Sequence, residues 1–246
     1  MEVLLGLNIT QVALVMLVFI WTGFVRSGLG FGGGALGLPL MLLIFNEPLF
    51  WLPVIGAHLL FFSSLTLHSR IAKVDWLYLK KAILIIIPFV LMGVVGLIKL
   101  PTNWLLVFIY LITLVYALMW LFGLHIRSNK KWLDGCLLCL GGYVAGTSLT
   151  GAPLIVAVFM RHVSAELLRN TLFVLWVTIV IIKMTAFVIV GIDLNLVIAL
   201  ILIPVAAIGH VIGLKAHNKI IKNNDLFKRV VGGALIVISS LGLYNI

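Results

Sequence analysis

Residues 132–161 read WLDGCLLCLGGYVAGTSLTGAPLIVAVFMR, and this stretch decides the topology. It follows Arg127, Lys130 and Lys131, runs as an apolar helix to about residue 146, and breaks at the polar run Thr147 to Gly151. A short apolar run then resumes to about residue 160, before Arg161. Basic residues collect on the cytoplasmic side of a membrane protein. A single straight crossing over 132–160 would put Arg161, Arg169 and the lysine-rich 215–229 joint on the outer side. A two-legged hairpin that leaves and returns to one face keeps them inside. The second leg is too short for a comfortable crossing, which predicts a re-entrant hairpin whose tip stops within the membrane.

The rest of the chain carries the same membrane character. Of 246 residues, 63% are hydrophobic and 10% charged, and the mean hydropathy is +1.29. A soluble domain is about 25% charged. Several apolar runs reach the roughly 20 residues that cross about 30 Å of hydrocarbon. Glu2 is the only charge before Arg26, so the first apolar run lacks the positive flank of a cleavable signal and is expected to remain.

Apolar periodicity, read against Pro, Gly and charge punctuation, predicts an all-α membrane protein. A first hairpin covers 9–45, with legs at about 9–25 and 35–45 around the cluster Gly28 to Gly34. Spans follow at about 51–68, 82–99 and 104–123; after the 132–160 hairpin they resume at 170–190, 195–213 and 227–244. The net charge of +10 does not imply nucleic acid, because 14 of the 17 basic residues sit in four short joints. These are Arg70, Lys73, Lys80 and Lys81; Arg127, Lys130 and Lys131; Arg161 and Arg169; and Lys215, Lys219, Lys222, Lys228 and Arg229. Only Lys99 falls in a joint on the opposite side, while Arg26 and Lys183 fall inside apolar stretches. The four joints are therefore read as cytoplasmic, with both termini outside, in a multi-pass protein of the cytoplasmic (inner) membrane.

The two halves echo each other. Gly23-Phe24-Val25 pairs with Gly142-Tyr143-Val144, 119 residues on, and Pro88, Gly93 and Gly96 pair with Pro204, Gly209 and Gly213. Val74-Asp75-Trp76 falls opposite Ile192-Asp193-Leu194. Each half, 1–125 and 126–246, is a broken hairpin plus three spans, an odd number of crossings, so the second starts from the opposite face. That is an inverted-topology repeat, an architecture of secondary transporters that bind substrate where broken helices meet near the midplane. Irregular backbone at membrane depth also needs protein or a water-filled cavity around it.

Gly23-Phe24-Val25-Arg26-Ser27-Gly28-Leu29-Gly30-Phe31-Gly32-Gly33-Gly34, followed by Pro39, resembles the first glycine signature of the sulfite exporter TauE/SafE family. Gly142-Tyr143-Val144-Ala145-Gly146 with Gly151-Ala152-Pro153 resembles the second. Val74-Asp75-Trp76 and Arg169-Asn170-Thr171 also look familial, and the resemblance runs from about residue 12 to 244. It implies export or uptake of a small sulfur-containing or organic anion, often sulfite or a sulfonate. This chain departs from the pattern at Arg26 and Ser27, where small residues or glycine are usual, and at Leu149, which replaces a glycine. Those departures bear on the substrate more than on the transport class.

The candidate substrate-binding residues are Arg26, Gly28, Gly30, Gly32, Gly33, Gly34, Thr147, Ser148, Thr150, Gly151 and Lys183. Bare glycine backbone beside a helix N-terminus makes an anion seat, yet glycines also serve tight turns and close packing. Hydroxyls at 147, 148 and 150 either donate to an anion or satisfy their own broken helix. Arg26 offers paired planar donors to an oxyanion, against snorkelling or structural pairing. Lys183, near the centre of its span, binds the anion or pairs within the protein. His58 and His210 are candidate proton relays, or imidazoles bonded to carbonyls. Glu47 and Glu166 are expected at interfaces, Asp75 and Asp193 as helix caps or anchors, and Pro153 at the start of a second leg.

Cys136 and Cys139 form a C-x-x-C pair read as helix packing rather than redox or metal chemistry. No cofactor and no metal are implied, and the expected partners are a small anion and the lipid bilayer; homo-oligomerisation is left open. The leading reading is a secondary transporter exporting a small anion by alternating access, not an enzyme. Its rivals are a passive anion channel, a membrane scaffold subunit and, more remotely, an intramembrane enzyme, for which no H-E-x-x-H, paired aspartates or G-x-S-x-G is found.

Overall fold

The computed structural model describes residues 6–29, 33–68, 70–124, 126, 129–222 and 224–246. Among these lie ten helices, a 3-10 turn at Ile71–Lys73 and no strand. The helices are α1 Ile9–Leu29, α2 Gly33–Ile44, α3 Pro48–Leu67, α4 Trp76–Lys99, α5 Thr102–Leu121, α6 Lys131–Ser148, α7 Ala152–His162, α8 Ala165–Ile189, α9 Leu196–Lys222 and α10 Asn224–Tyr244. Seven of them, α1, α3, α4, α5, α8, α9 and α10, are long and apolar enough to cross a membrane. The break expected over Thr147 to Gly151 falls at 149–151, because α6 runs on through Ser148, while the middle of the one expected over Gly28 to Gly34 lies outside the described residues; the short helices α2 and α7 that follow have 12 and 11 residues. At 1.5 Å per residue these reach roughly 18 and 17 Å, well short of a hydrocarbon core.

Helix ends depart from the sequence expectation where charge and helicity part company. α4 begins at Trp76 rather than 82, because the Asp75 carboxylate accepts the Tyr78 amide at 2.9 Å and caps the helix two turns before its apolar run. α9 continues to Lys222 instead of 213. Lysine is a good helix former, so charge marks where the membrane ends and not where the helix does.

The chain forms two compact units, each drawing on both sequence halves: residues 1–55, 101–125 and 194–246 in one, and 56–100 and 126–193 in the other. In the first, α1 packs along α9, α5 along α10, and α2 lies against both α5 and α10. Its core gathers Val25, Leu36, Ala117, Val231 and Leu235. In the second, α4 packs along α6, while α8 touches α4, α6 and α7.

Both long crossings depend on glycine. A Cβ on Gly209 would sit on the carbonyl oxygen of Ile20 and 2.9 Å from the amide nitrogen of Phe24. A Cβ on Gly93 would sit on the carbonyl oxygen of Tyr143 and 2.9 Å from the amide nitrogen of Thr147. Opposite them, Gly23 faces the carbonyl of Ala206 and Gly146 that of Val90. Bare backbone at these four points lets helices approach closely enough to gain dispersion energy, which drives helix association in lipid. By these neighbours Gly146 lies on α4 much as Gly23 lies on α9. The sequence echo pairs Gly23 with Gly142, four residues or one helical turn earlier.

Candidate functional site

The break in the second unit is built by three local devices. α6 ends at Leu149, whose backbone is left-handed at φ 61° and whose amide donates to the Ala145 carbonyl at 3.1 Å. A leucine in that conformation places Cβ against the backbone, at about 1–2 kcal/mol. α7 then starts with Gly151 at its N-cap and Pro153 in its first turn, where a missing N–H costs nothing. A Cβ on Gly151 would strike the Gly141 carbonyl, so glycine is what lets the turn lie on α6.

Lys183 reaches this break from α8. It is 1% exposed, and its Nζ donates to the same Ala145 carbonyl at 3.1 Å. Its ammonium therefore sits at the negative end of the α6 dipole. One of three N–H donors is used, and no other partner is found among the described residues.

The hydroxyls at this tip are committed inwardly. Thr147 Oγ1 donates toward the carbonyls of Tyr143 at 2.9 Å and Gly93 at 3.3 Å. Ser148 Oγ donates to Val144 O at 3.1 Å and lies 2.6 Å from Thr150 Oγ1. If Ser148 gives its hydrogen to Val144, Thr150 donates to Ser148, and all three hydroxyl hydrogens are spent. Such back-bonding is the usual way Ser and Thr satisfy a helix end. The donors left at the break are backbone amides. Those of Thr150 and Gly151 bond nothing among the described residues, and the first amides of α7 have no intrahelical acceptor.

In the first unit, Arg26, Ser27 and Gly28 occupy the last turn of α1. Arg26 is half-buried, with Nε and Nη2 enclosed. Ser27 Oγ donates to Gly23 O at 2.9 Å and also meets His210 Nδ1, which α9 brings there because Gly213 packs on Ser27 and Gly28. One hydroxyl hydrogen serves two contacts. With Ser27 donating to Gly23, the His210 imidazole carries its proton on Nδ1. A Cβ on Gly33 would lie 2.8 Å from Thr22 O and 2.9 Å from Arg26 Cβ, and one on Gly34 would meet Ile55 at 3.1 Å. Gly30 and Gly32 lie outside the described residues.

His58 is buried in α3, its ring 6.2 Å from that of Phe62. Glu47 and Glu166 are exposed just after the two hairpins. Asp193 lies exposed in the link before α9. Cys136 and Cys139 are free thiols on α6.

Sequence reasoning missed a clamp at the base of the second hairpin. Asp134, in the first turn of α6, pairs with Arg161 Nη1 at 3.1 Å and His162 Nε2 at 2.8 Å, both from the last turn of α7. Tyr78 of α4 stacks on His162, centroids 5.0 Å apart. Antiparallel legs bring their outer ends together, so an acid opening one leg and a base closing the other was the available signal.

The chain matches the family described as Sulfite exporter TauE/SafE over residues 15–241, nearly its whole length. No curated protein and no solved structure matches it.

Proposed function

This chain belongs to the sulfite exporter TauE/SafE family of membrane transporters, and from that premise we propose that it exports a small oxyanion, such as sulfite or a sulfonate, by alternating access. The observation that carries the reading is the second break. Buried Lys183, the amides of Thr150 and Gly151 and the start of α7 are concentrated at one interruption of a membrane-embedded hairpin. An oxyanion takes N–H donors and positive potential, and this break offers both. Arg26 with Gly28, Gly33 and Gly34 is the corresponding set in the first unit. The repeated glycine crossing of α1 on α9 and of α6 on α4 supports reading the halves as an inverted repeat. Their hairpins are then re-entrant, with the basic joints cytoplasmic and both ends of this chain outside. The interior-negative potential drives an anion outward, about 2.3 kcal/mol per charge per 100 mV.

Reconstituted flux with sulfite, sulfoacetate and acetate, with and without a pH gradient, tests this. Saturable efflux accelerated by anion on the opposite side is expected. Linear flux without counterflow would instead assign a channel. Labelling of 161–169 from outside the cell, with 215–229 protected, would overturn the topology.

A further inference from the structure

We propose that the cytoplasmic joint at the foot of α8 holds the phosphate of an anionic phospholipid between Arg70 and Arg169. The joint is fixed in place. Thr171 Oγ1 donates to Leu167 O at 2.8 Å and accepts the Asp75 amide at 2.9 Å, tying the chain before α4 to α8. The 3-10 turn Ile71–Lys73, with Arg70 at its N-cap, packs against α8. Arg70, before that turn, and Arg169, near the start of α8, are thereby brought to one joint.

Among the described residues neither arginine forms an ion pair, and the nearby Asp75 carboxylate caps α4. The Arg169 guanidinium lies 5.4 Å from the Phe173 ring centroid, and its Nε is buried with no acceptor. A desolvated guanidinium N–H without an acceptor costs free energy, and a second cation beside it adds repulsion. A phosphate diester relieves both with charge-assisted bonds.

The surroundings favour lipid over a soluble anion. Ile71, Trp76 and Leu77 of the same joint are 55%, 44% and 71% exposed, a surface suited to acyl chains with an interfacial indole. Basic pockets on the cytoplasmic side of helix bundles take lipid headgroups in this way. The inference rests on the cytoplasmic placement of the basic joints proposed above but not on transport, and its readout does not involve flux.

The test uses the full chain purified in neutral detergent, with bound lipid counted by native mass spectrometry. Dioleoylphosphatidylglycerol should be retained in preference to dioleoylphosphatidylcholine. Arg70→Gln and Arg169→Gln should each weaken that retention about fivefold, the worth of one basic residue at a lipid surface. The paired control Lys80→Gln, Lys81→Gln, in the second turn of α4, should leave it unchanged. Arg70 is exposed, so its variant carries the test if Arg169→Gln does not fold. Equal retention by the arginine variants, or loss in the lysine control to the same degree, overturns the proposal. So does displacement of the lipid by millimolar inorganic phosphate, which would assign a free-anion site.

Discussion

Replacing Lys183 with methionine separates a structural tie from a substrate contact. The Ala145 carbonyl accepts both Lys183 Nζ and the Leu149 amide, each at 3.1 Å. Removing the ammonium therefore orphans no buried acceptor. Polar side-chain bonds between membrane helices average about 0.6 kcal/mol and reach about 1.7. Methionine fills similar volume and removes the cost of a buried charge. Lys183→Met should thus change the unfolding free energy by less than about 1.5 kcal/mol. An anion that loses a charge-assisted bond forfeits about 1.5–3 kcal/mol, which raises KM roughly 10- to 150-fold. Counterflow in proteoliposomes gives KM, and reversible unfolding of the same preparation gives stability. Unchanged KM with intact folding would remove Lys183 from the anion path. Destabilisation by several kcal/mol, with flux lost in proportion to folded protein, would make it a tie for α6 and nothing more.

Three further outcomes follow from the geometry. Gly209→Ala and Gly93→Ala each drive a Cβ into a backbone carbonyl and should cost about 1–3 kcal/mol or more, whereas Gly233→Ala, with open space around it, should be tolerated in thermal unfolding. Leu149→Gly removes a left-handed leucine and should raise stability by up to about 1 kcal/mol, less whatever packing the leucine supplies; a large loss would show that the side chain, not the backbone, holds the break. Asp134→Asn weakens the pairing of Arg161 and His162, both about a third exposed, and should cost about 1–2 kcal/mol. Its effect should shrink in high salt, and a salt-independent loss would point to packing instead.

Much of this protein was legible in the chain itself, because lipid leaves the backbone few choices. Apolar runs of sufficient length become helices, and the polar run Thr147 to Gly151 marked the end of one, which comes after Ser148. The seven long helices, the interruption after Ser148 and the family followed from that rule and from the glycine signatures. Asp75 as a cap and Pro153 in a first turn were equally local matters, readable from neighbouring residues.

What the sequence left open was decided by contacts between residues far apart along the chain. Whether Thr147, Ser148 and Thr150 offered hydrogens to a ligand or to their own helix depended on where carbonyls lay. The sequence echoes Gly23 in Gly142, whereas the glycine of α6 that comes nearest a carbonyl of α4 is Gly146, against Val90. Asp134 met Arg161 only because antiparallel legs returned to one level, and the chain before α4 met α8 because Thr171 accepts the Asp75 amide. Hydropathy fixes which segments enter the bilayer, since transfer free energy is a sum over residues. Partners across helices are set by packing at ångström range, and no sum over single residues contains that.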